Sequence, residues 1–428
     1  MPPGDKSITH RALLMGALAA GETTVENANR GADCEATLAC LEALGIAARR
    51  QGETLHLRGA GGAFREPDRV LDCGNSGTTL RLLAGPLSAQ PFLAVLAGDT
   101  SLHRRPVERM IEPLRRMGAR LWGRDHDRFP PLVVQGGPLR PIEVALPVAS
   151  AQVASCVLLA GLFADGLTVV EVPGPARDHT ERMLGAFGIE PLVEARPAGG
   201  RRVAVRGPAR LSACTLRVAG DFSAAAFFLA AAAATPGSRV TARGVSLNPT
   251  RTGLLDALEA MGAEVRRQQL RTEGGEPVGD VTVAGPERLK GVDLPPEWVP
   301  RLVDEVPAWA IAAAAAQGIS RLRGAAELRL KESDRLAAIA ENLAALGVTA
   351  RSTADGLEIE GSRIGGGVVD ARGDHRIAMA FATIGTLARE AVTVEDTVAI
   401  GTSYPGFVAA LAALGADVTV SPLAPHAP

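Results

Sequence analysis

The sequence predicts an α/β protein of two domains, each built from three copies of one β-α-β-α-β-β unit. Three observations predict it. A helix-like segment ending in an apolar residue and Gly recurs six times, a more apolar helix precedes each recurrence, and 428 residues accommodate two bodies of about 210 residues, each with its own core. The recurring ends are Leu44-Gly45, Met117-Gly118, Phe187-Gly188, Met261-Gly262, Leu346-Gly347 and Leu414-Gly415, spaced 68 to 85 residues apart.

Within each unit the elements follow from spacing. Ahead of the terminal Gly the apolar residues recur at helical intervals, as in Ile111, Leu114 and Met117, or Leu336, Ile339, Leu343 and Leu346. The Gly then supplies a left-handed stop. Strand-like sequence follows, with a hairpin turn at Asp355-Gly356 before Leu357-Glu358-Ile359. The earlier helices begin near Ser7, Gly77, Ala151, Ser223, Val306 and His375. Five of the six have a strand-like run upstream, such as Val70-Leu71-Asp72 or Val368-Val369-Asp370. The halfway point, near Gly220, is the expected break. Nothing strand-like precedes Gly4-Asp5-Lys6, so either residues upstream of this chain or another segment must fill the leading-strand slot of the first unit.

Composition excludes several functions. A formal net charge of −2 gives no basic field for nucleic acid. The longest apolar run, Phe222 to Ala234, is too short to span a bilayer and predicts a buried helix, and no signal segment opens the chain. Five scattered cysteines form no metal-binding or disulfide pattern, which suits a reduced, cytoplasmic setting.

The chemistry-bearing residues gather at the starts of the earlier helices: Pro3-Gly4-Asp5-Lys6-Ser7, Gly74-Asn75-Ser76-Gly77-Thr78-Thr79, Ala149-Ser150-Ala151-Gln152, Gly220-Asp221-Phe222-Ser223, Val303-Asp304-Glu305 and Gly373-Asp374-His375-Arg376. Such runs are ordinary helix caps when met singly. Six in register would bring free N–H groups and helix dipoles to common points, favouring small anions. Cations accompany them. Ser7 and Arg11 are spaced i, i+4, as are Lys331 and Arg335; Arg105 precedes a helix, and Arg376 opens one. Of 45 basic residues only Lys6, Lys290 and Lys331 are lysines, and two of these fall inside the runs. Lysine retained amid arginine points to a role for a compact ammonium that can give up its proton. Asp304 and Glu332 lie among the cations as acid–base candidates. Neighbouring charge lowers their pKa and burial raises it, so sequence leaves the sign open.

Taken in order, these runs resemble the enolpyruvyl transferase family, and its shikimate branch in particular. The resemblance covers essentially the whole chain. It rests on Pro3-Gly4-Asp5-Lys6-Ser7 with His10-Arg11, Gly74-Asn75-Ser76-Gly77-Thr78, Arg105-Pro106, Ser150-Ala151-Gln152, Leu330-Lys331-Glu332-Ser333-Asp334-Arg335 and Asp374-His375-Arg376. Arg177-Asp178-His179-Thr180-Glu181 and Gly401-Thr402-Ser403-Tyr404-Pro405 are similar to its class II members. The resemblance implies two inverse α/β barrel domains, residues 5–219 and residues 1–4 with 220–428, each of three βαβαββ units around a pseudo-threefold axis. It implies transfer of the enolpyruvyl group of phosphoenolpyruvate to the 5-hydroxyl of shikimate-3-phosphate through a tetrahedral intermediate, by a monomer without metal or organic cofactor. Lys6, Ser7, Arg11, Ser150, Gln152, Arg177, Asp304 and Lys331 would hold shikimate-3-phosphate. Lys6, Gly77, Arg105, Gln152, Arg335 and Arg376 would hold phosphoenolpyruvate. Asn75, Thr78, Ala151, Asp374 and His375 would lie close by, with Asp304, Glu332 and Lys6 catalytic.

Two departures stand out. Thr402-Ser403 replace a Lys found in several relatives, and Glu327 stands where some have Asn. The rival readings are a UDP-N-acetylglucosamine enolpyruvyl transferase and a non-catalytic anion-binding protein on the same scaffold. The first would need a Cys that is absent between Gly98 and Pro106, and the second has no need of both Lys6 and the Asp304–Glu332 pair.

Overall fold

Twelve principal helices alternate in the order the repeat predicts. This computed structural model describes residues 1–421, so the end of the expected second domain, residues 422–428, lies outside the described residues. The first helices of the six units are Lys6–Leu18, Gly77–Leu87, Ala151–Gly161, Phe222–Ala234, Val306–Ala315 and His375–Ile384. The second helices are Ala32–Ala43, Glu108–Met117, His179–Ala186, Gly253–Ala260, Arg335–Ala345 and Phe407–Ala413. The Gly after each second helix (Gly45, Gly118, Gly188, Gly262, Gly347 and Gly415) has positive φ, as the stop requires.

Burial separates the two helix types. Glu108–Met117 buries Met110, Ile111, Leu114 and Met117 and exposes Glu112, Arg115 and Arg116, one face to the core and one to water. Phe222–Ala234 is apolar on every side and buried nearly throughout, which is possible only for an inner element. The first helices therefore sit inside and the sheets outside, forming an inverse α/β barrel in each half. Close approach is built in: a Cβ on Gly85 would come within 2.3 Å of the Cys156 carbonyl oxygen on the neighbouring first helix.

Three sheets share one strand order. In unit two, Leu71–Asp72 pairs parallel with Leu93–Ala97, which pairs antiparallel with Phe129–Gln135 and so reaches Arg120–Gly123. Unit three repeats this with Glu143–Ala145, Gly166–Val172, Arg201–Gly207 and Leu192–Ala195. Unit one repeats it too, and its leading strand comes from the far end of the same half. Thr215–Arg217 lies parallel to Ala20–Glu26 through Thr24↔Thr215, Val25↔Leu216 and Glu26↔Arg217. Another segment thus fills the slot. In units four and five the leading strand shrinks to isolated parallel bridges, Gly220↔Val245, Lys290↔Gln317 and Asp293↔Arg321. In unit six Gly367–Asp370 pairs parallel with Val392–Glu395, and among the described residues no hairpin follows.

The buried apolar residues form two clusters. One runs from Ile8 to Ala219 with Val278 added, and the other runs from Phe222 to Leu411. The chain passes between the halves at two adjacent segments. Asp5 N donates to the Ala219 carbonyl at 2.7 Å and Asp221 N to the Pro3 carbonyl at 2.7 Å, with Gly4 and Gly220 bridged antiparallel. Among the described residues no helix is long and apolar enough to cross a membrane.

Candidate active site

The first-helix starts are anchored before they bind anything. Asp5, Ser76, Ser150, Asp221 and Asp374 each accept a hydrogen bond from an N–H in the first turn of their own helix; only the fifth unit lacks a side-chain cap. Each cap satisfies one or two first-turn N–H groups, and three of the five caps are carboxylates, so side-chain cations add to what the remaining N–H groups offer an anion.

In the first half, Lys6 Nζ donates to Asp33 Oδ2 at 2.7 Å. Burial pulls its pKa down, Asp33 and Glu332 push it up, and the net shift is upward. Arg11 is buried and holds only neutral acceptors. Nε donates to Thr180 Oγ1 at 2.7 Å, Nη1 to the Ser7 carbonyl at 3.1 Å and Nη2 to Ser155 Oγ at 2.9 Å. Burial is the largest influence and, with Glu181 pushing the other way, brings its pKa down to about 10. Arg105 donates to the Asn75 carbonyl at 3.0 Å, to Asn75 Oδ1 at 2.5 Å and to Ser101 Oγ at 3.0 Å, again without a carboxylate.

Gln152, next to Ala151 and the Ser150 cap, donates through Nε2 to Thr78 Oγ1 at 3.0 Å and accepts through Oε1 from Arg81 Nη1 at 2.9 Å. Arg81 also donates to the Pro106 carbonyl at 2.9 Å. Burial first, then the neighbouring Arg105 and Arg109, lower its pKa to about 10. Gly77 lies against both guanidinium groups: a Cβ there would fall 2.6 Å from Arg81 Nη1 and 3.6 Å from Arg105 Nη1.

The second half supplies the carboxylates. Asp304, on the turn Val303–Glu305, accepts from Arg177 Nη2 at 2.5 Å, and its Oδ1 lies 3.7 Å from Arg335 and 3.8 Å from Lys331. This contact joins the halves, because Arg177 belongs to unit three and also donates to Ser7 Oγ at 3.4 Å. Arg376 Nη1 donates to the Asp304 carbonyl at 2.7 Å. Glu332 accepts from Arg335 at 2.6 Å. Arg335 is held in turn by Asp374 through bonds of 2.7 and 3.3 Å.

The sign left open by sequence is now readable. Burial is the largest single influence on Asp304 and on Glu332, and it raises both pKa values. The surrounding cations together outweigh it: Arg177, Arg376, Lys331 and Arg335 at Asp304, and Arg335, Arg105 and Lys6 at Glu332. Both carboxyls end well below the usual range. Burial, with Lys6 beside each ring, keeps His10 and His375 neutral at pH 7.

Hydrogen bonds and ion pairs link Ser7, Arg177, Asp304, Lys331, Arg335, Glu332, Asp374 and Arg376 into one cluster, and Asn75, Thr78, Arg105 and Gln152 gather beside Gly77 and Arg81 in another. Glu327 pairs instead with Lys331 at 3.4 Å, at the exposed edge. Near the missing lysine, the Ser403 carbonyl accepts from Asn29 Nδ2 at 3.0 Å, a further contact between the halves. The third lysine, Lys290, is exposed on the bridge to Gln317, away from the cleft. Sequence reasoning missed Asp33, Arg81 and Thr180. Arg81 was findable, standing i+4 from Gly77 as Arg11 stands from Ser7. Asp33 and Thr180 come from second helices, with no local signal. Among the described residues no group of His, Cys, Asp or Glu is arranged to hold a metal ion.

Inner-helix barrels facing one another across a cleft of eight cations (Lys6, Arg11, Arg81, Arg105, Arg177, Lys331, Arg335 and Arg376), with two ionised carboxyls among them, define an enolpyruvyl transferase. The comparisons narrow this. The family model of EPSP synthase (3-phosphoshikimate 1-carboxyvinyltransferase) matches residues 1–411, and the chain belongs to that family. It is 47% identical to the 3-phosphoshikimate 1-carboxyvinyltransferase of Geobacillus kaustophilus, covering 96% of each chain. It is 51% identical to that of an Anaeromyxobacter species, covering 95% of this chain and 91% of the relative. A solved EPSP synthase from Acinetobacter baumannii superposes with a TM-score of 0.87 at 40% identity, over 99% of this chain and 96% of that one.

Proposed function

We propose that this cleft performs the family's reaction with the following division of labour. The chain is a transferase that moves the enolpyruvyl group of phosphoenolpyruvate to the 5-hydroxyl of shikimate-3-phosphate and releases phosphate. In our reading Lys6, Ser7, Arg11, Ser150, Gln152, Arg177, Asp304 and Lys331 hold shikimate-3-phosphate, and Lys6, Gly77, Arg105, Gln152, Arg335 and Arg376 hold phosphoenolpyruvate. Residues 5–219 act as one domain and residues 1–4 with 220–428 as the other, in a cytoplasmic monomer.

The observation that carries this reading is the contrast among the cations. Lys6, Arg177, Lys331 and Arg335 are balanced by carboxylates, whereas Arg11, Arg81 and Arg105 hydrogen-bond only to neutral oxygens. Two anionic groups 4 Å apart repel by about 4 kcal/mol at an effective dielectric of 20. Gathering the two phosphates and two carboxylates of the substrates therefore needs cations not already neutralised.

The chemistry follows from the same charges. The 5-hydroxyl oxygen attacks the enolpyruvyl C2 while Asp304 takes its proton, and C3 receives a proton from Glu332 to become a methyl group. In the tetrahedral intermediate Glu332 takes a proton back from C3, the C2–C3 double bond re-forms and phosphate departs with its bridging oxygen stabilised by the Lys6 ammonium. The free site holds Glu332 ionised, so it is a poor acid before substrate arrives. Phosphoenolpyruvate would draw Arg335, Arg105 and Lys6 onto its own anionic groups, and with that attraction weakened, burial raises the Glu332 pKa toward a value useful for proton transfer.

The test is phosphate release from phosphoenolpyruvate. It should depend on shikimate-3-phosphate and not respond to UDP-N-acetylglucosamine. Release with the second acceptor alone would overturn the reading.

A further inference from the structure

A second carboxyl stands beside Asp304. Glu305, the next residue on the turn Val303–Glu305, is only 1% exposed. Its Oε1 lies 4.0 Å from Arg177 Nη2 and 3.8 Å from Arg376 Nη1. Arg177 is assigned above to shikimate-3-phosphate and Arg376 to phosphoenolpyruvate, so one buried oxygen borders a cation of each substrate. Oε1 also accepts from Ser223 Oγ. Oε2 is buried and, among the described residues, has no hydrogen-bond partner.

The charges around Glu305 come from several elements. Arg177 precedes the helix His179–Ala186, Arg376 lies on His375–Ile384, Arg251 precedes Gly253–Ala260, and Asp304 shares the turn. Ser223, on Phe222–Ala234, contributes a hydroxyl. Arg301, on the preceding turn Val299–Leu302, pairs elsewhere, with Asp256 at 2.7 Å, and the following helix Val306–Ala315 carries no titratable side chain. Burial, the largest influence, and Asp304 push the Glu305 pKa up; Arg177, Arg376 and Arg251 pull it down; the net shift is upward. Arg251 is already engaged by Asp5 and, at 3.2 Å, by Asp221. The two cations free to keep Glu305 ionised are therefore the two that the substrates would claim.

We propose that Glu305 is a positioning residue that holds Arg177 and Arg376 before substrate arrives and takes up a proton as the substrates claim them, so that binding is coupled to proton uptake beside Asp304. This rests on the ligand assignment made above. Each substrate brings anionic groups toward Glu305 and draws a guanidinium onto itself, and both changes favour the neutral carboxyl. The proton comes from solvent and goes onto Oε2, the oxygen without a partner, while Oε1 keeps its bond from Ser223. It returns to solvent when the products leave. The Glu305 pKa is thus higher in the complex than in the free chain. Protons are taken up between the two values, and affinity falls as pH rises through that window.

The experiment uses the full chain and two variants, Glu305→Gln and Ser223→Ala. Gln keeps an oxygen for Ser223 and stands in for the neutral carboxyl. Removing the Ser223 hydroxyl takes away a donor that favours the ionised form and so raises the Glu305 pKa. Shikimate-3-phosphate is titrated calorimetrically from about pH 5.5 to about pH 8.5, in paired buffers of different ionisation enthalpy, which yields both affinity and protons taken up. Protons exchanged by the ligand's own phosphate are common to all three chains and drop out of the differences. At the pH of greatest uptake the unaltered chain should take up about half a proton or more beyond Glu305→Gln. The two affinities should agree to within about twofold at the acid end, and Glu305→Gln should bind at least about fivefold more tightly at the alkaline end. Ser223→Ala should move the uptake maximum to higher pH. Equal proton counts in the unaltered and Gln chains overturn the proposal, as does weaker binding by Glu305→Gln in the same ratio at every pH, the mark of a purely structural role. If Glu305→Gln does not fold, Ser223→Ala decides: an uptake maximum that moves upward supports the proposal, and one that stays in place refutes it. An unaltered chain that releases no phosphate from phosphoenolpyruvate with shikimate-3-phosphate defeats the functional reading itself, a separate and recognisable outcome.

Discussion

Replacing Gly77 by Ala tests the phosphoenolpyruvate pocket with a single methyl group. The backbone at Gly77 is helical, so the substitution carries no conformational strain of its own. The methyl carbon would sit 2.6 Å from Arg81 Nη1, about 1 Å inside ordinary contact, and the guanidinium must retreat. Its bonds to Gln152 Oε1 at 2.9 Å and to the Pro106 carbonyl at 2.9 Å are then stretched or broken. A hydrogen bond from a charged donor is worth about 1.5–3 kcal/mol, which converts to roughly 10- to 100-fold in affinity. We therefore expect KM for phosphoenolpyruvate to rise by at least about tenfold, and KM for shikimate-3-phosphate to change by less than about threefold. Phosphonate analogues such as glyphosate should lose more than the substrate. Steady-state kinetics with each substrate varied in turn makes the measurement. An unchanged phosphoenolpyruvate KM, an unchanged inhibition constant for the analogue, or equal loss for both substrates would refute the argument from Arg81 displacement.

Other expectations follow from the charges. Glu332→Gln should lower kcat by at least about 100-fold with the fold intact, and near-normal turnover would remove Glu332 from the proton transfers. Asp33→Asn removes a contact that raises the Lys6 pKa, leaving burial to lower it. The alkaline limb of the kcat–pH profile should then move to lower pH, and a profile that stays in place would count against Lys6 acting as an ammonium. Asp304 and Glu332 have folded-state pKa values well below their unfolded ones, so the stability they confer is present above the usual carboxylate range and is lost as pH falls through the depressed values. Urea unfolding followed from pH 6 downward should show falling stability, and Asp304→Asn should make that decline shallower; an equal slope would contradict the assigned shift. Thr180→Val leaves Arg11 without its Nε acceptor and should raise KM for shikimate-3-phosphate about tenfold, with little change for phosphoenolpyruvate.

Much of the fold and of the site was legible in the sequence, for a reason visible in particular residues. Helix starts, apolar periodicity and the six left-handed glycines depend on neighbours within a few positions, so Asp5-Lys6-Ser7, Gly77, Arg335 and Asp374-His375-Arg376 could be placed on their elements before any fold was known. The buried helix Phe222–Ala234 appears at the limits its apolar run set. What could not be read depends on distance through space. Thr215–Arg217 fills the leading slot of unit one from across some 190 residues, paired as Glu26↔Arg217. Asp33 meets Lys6, and Thr180 meets Arg11, only after the units have packed. The protonation of Asp304 and Glu332 is the clearest case. Burial and neighbouring cations act in opposite directions, and the outcome turns on separations of 2.5 to 3.8 Å that only the packed chain establishes. Chain-local chemistry thus laid out the cations, while three-dimensional packing settled which of them are already neutralised and which remain free to hold a substrate anion.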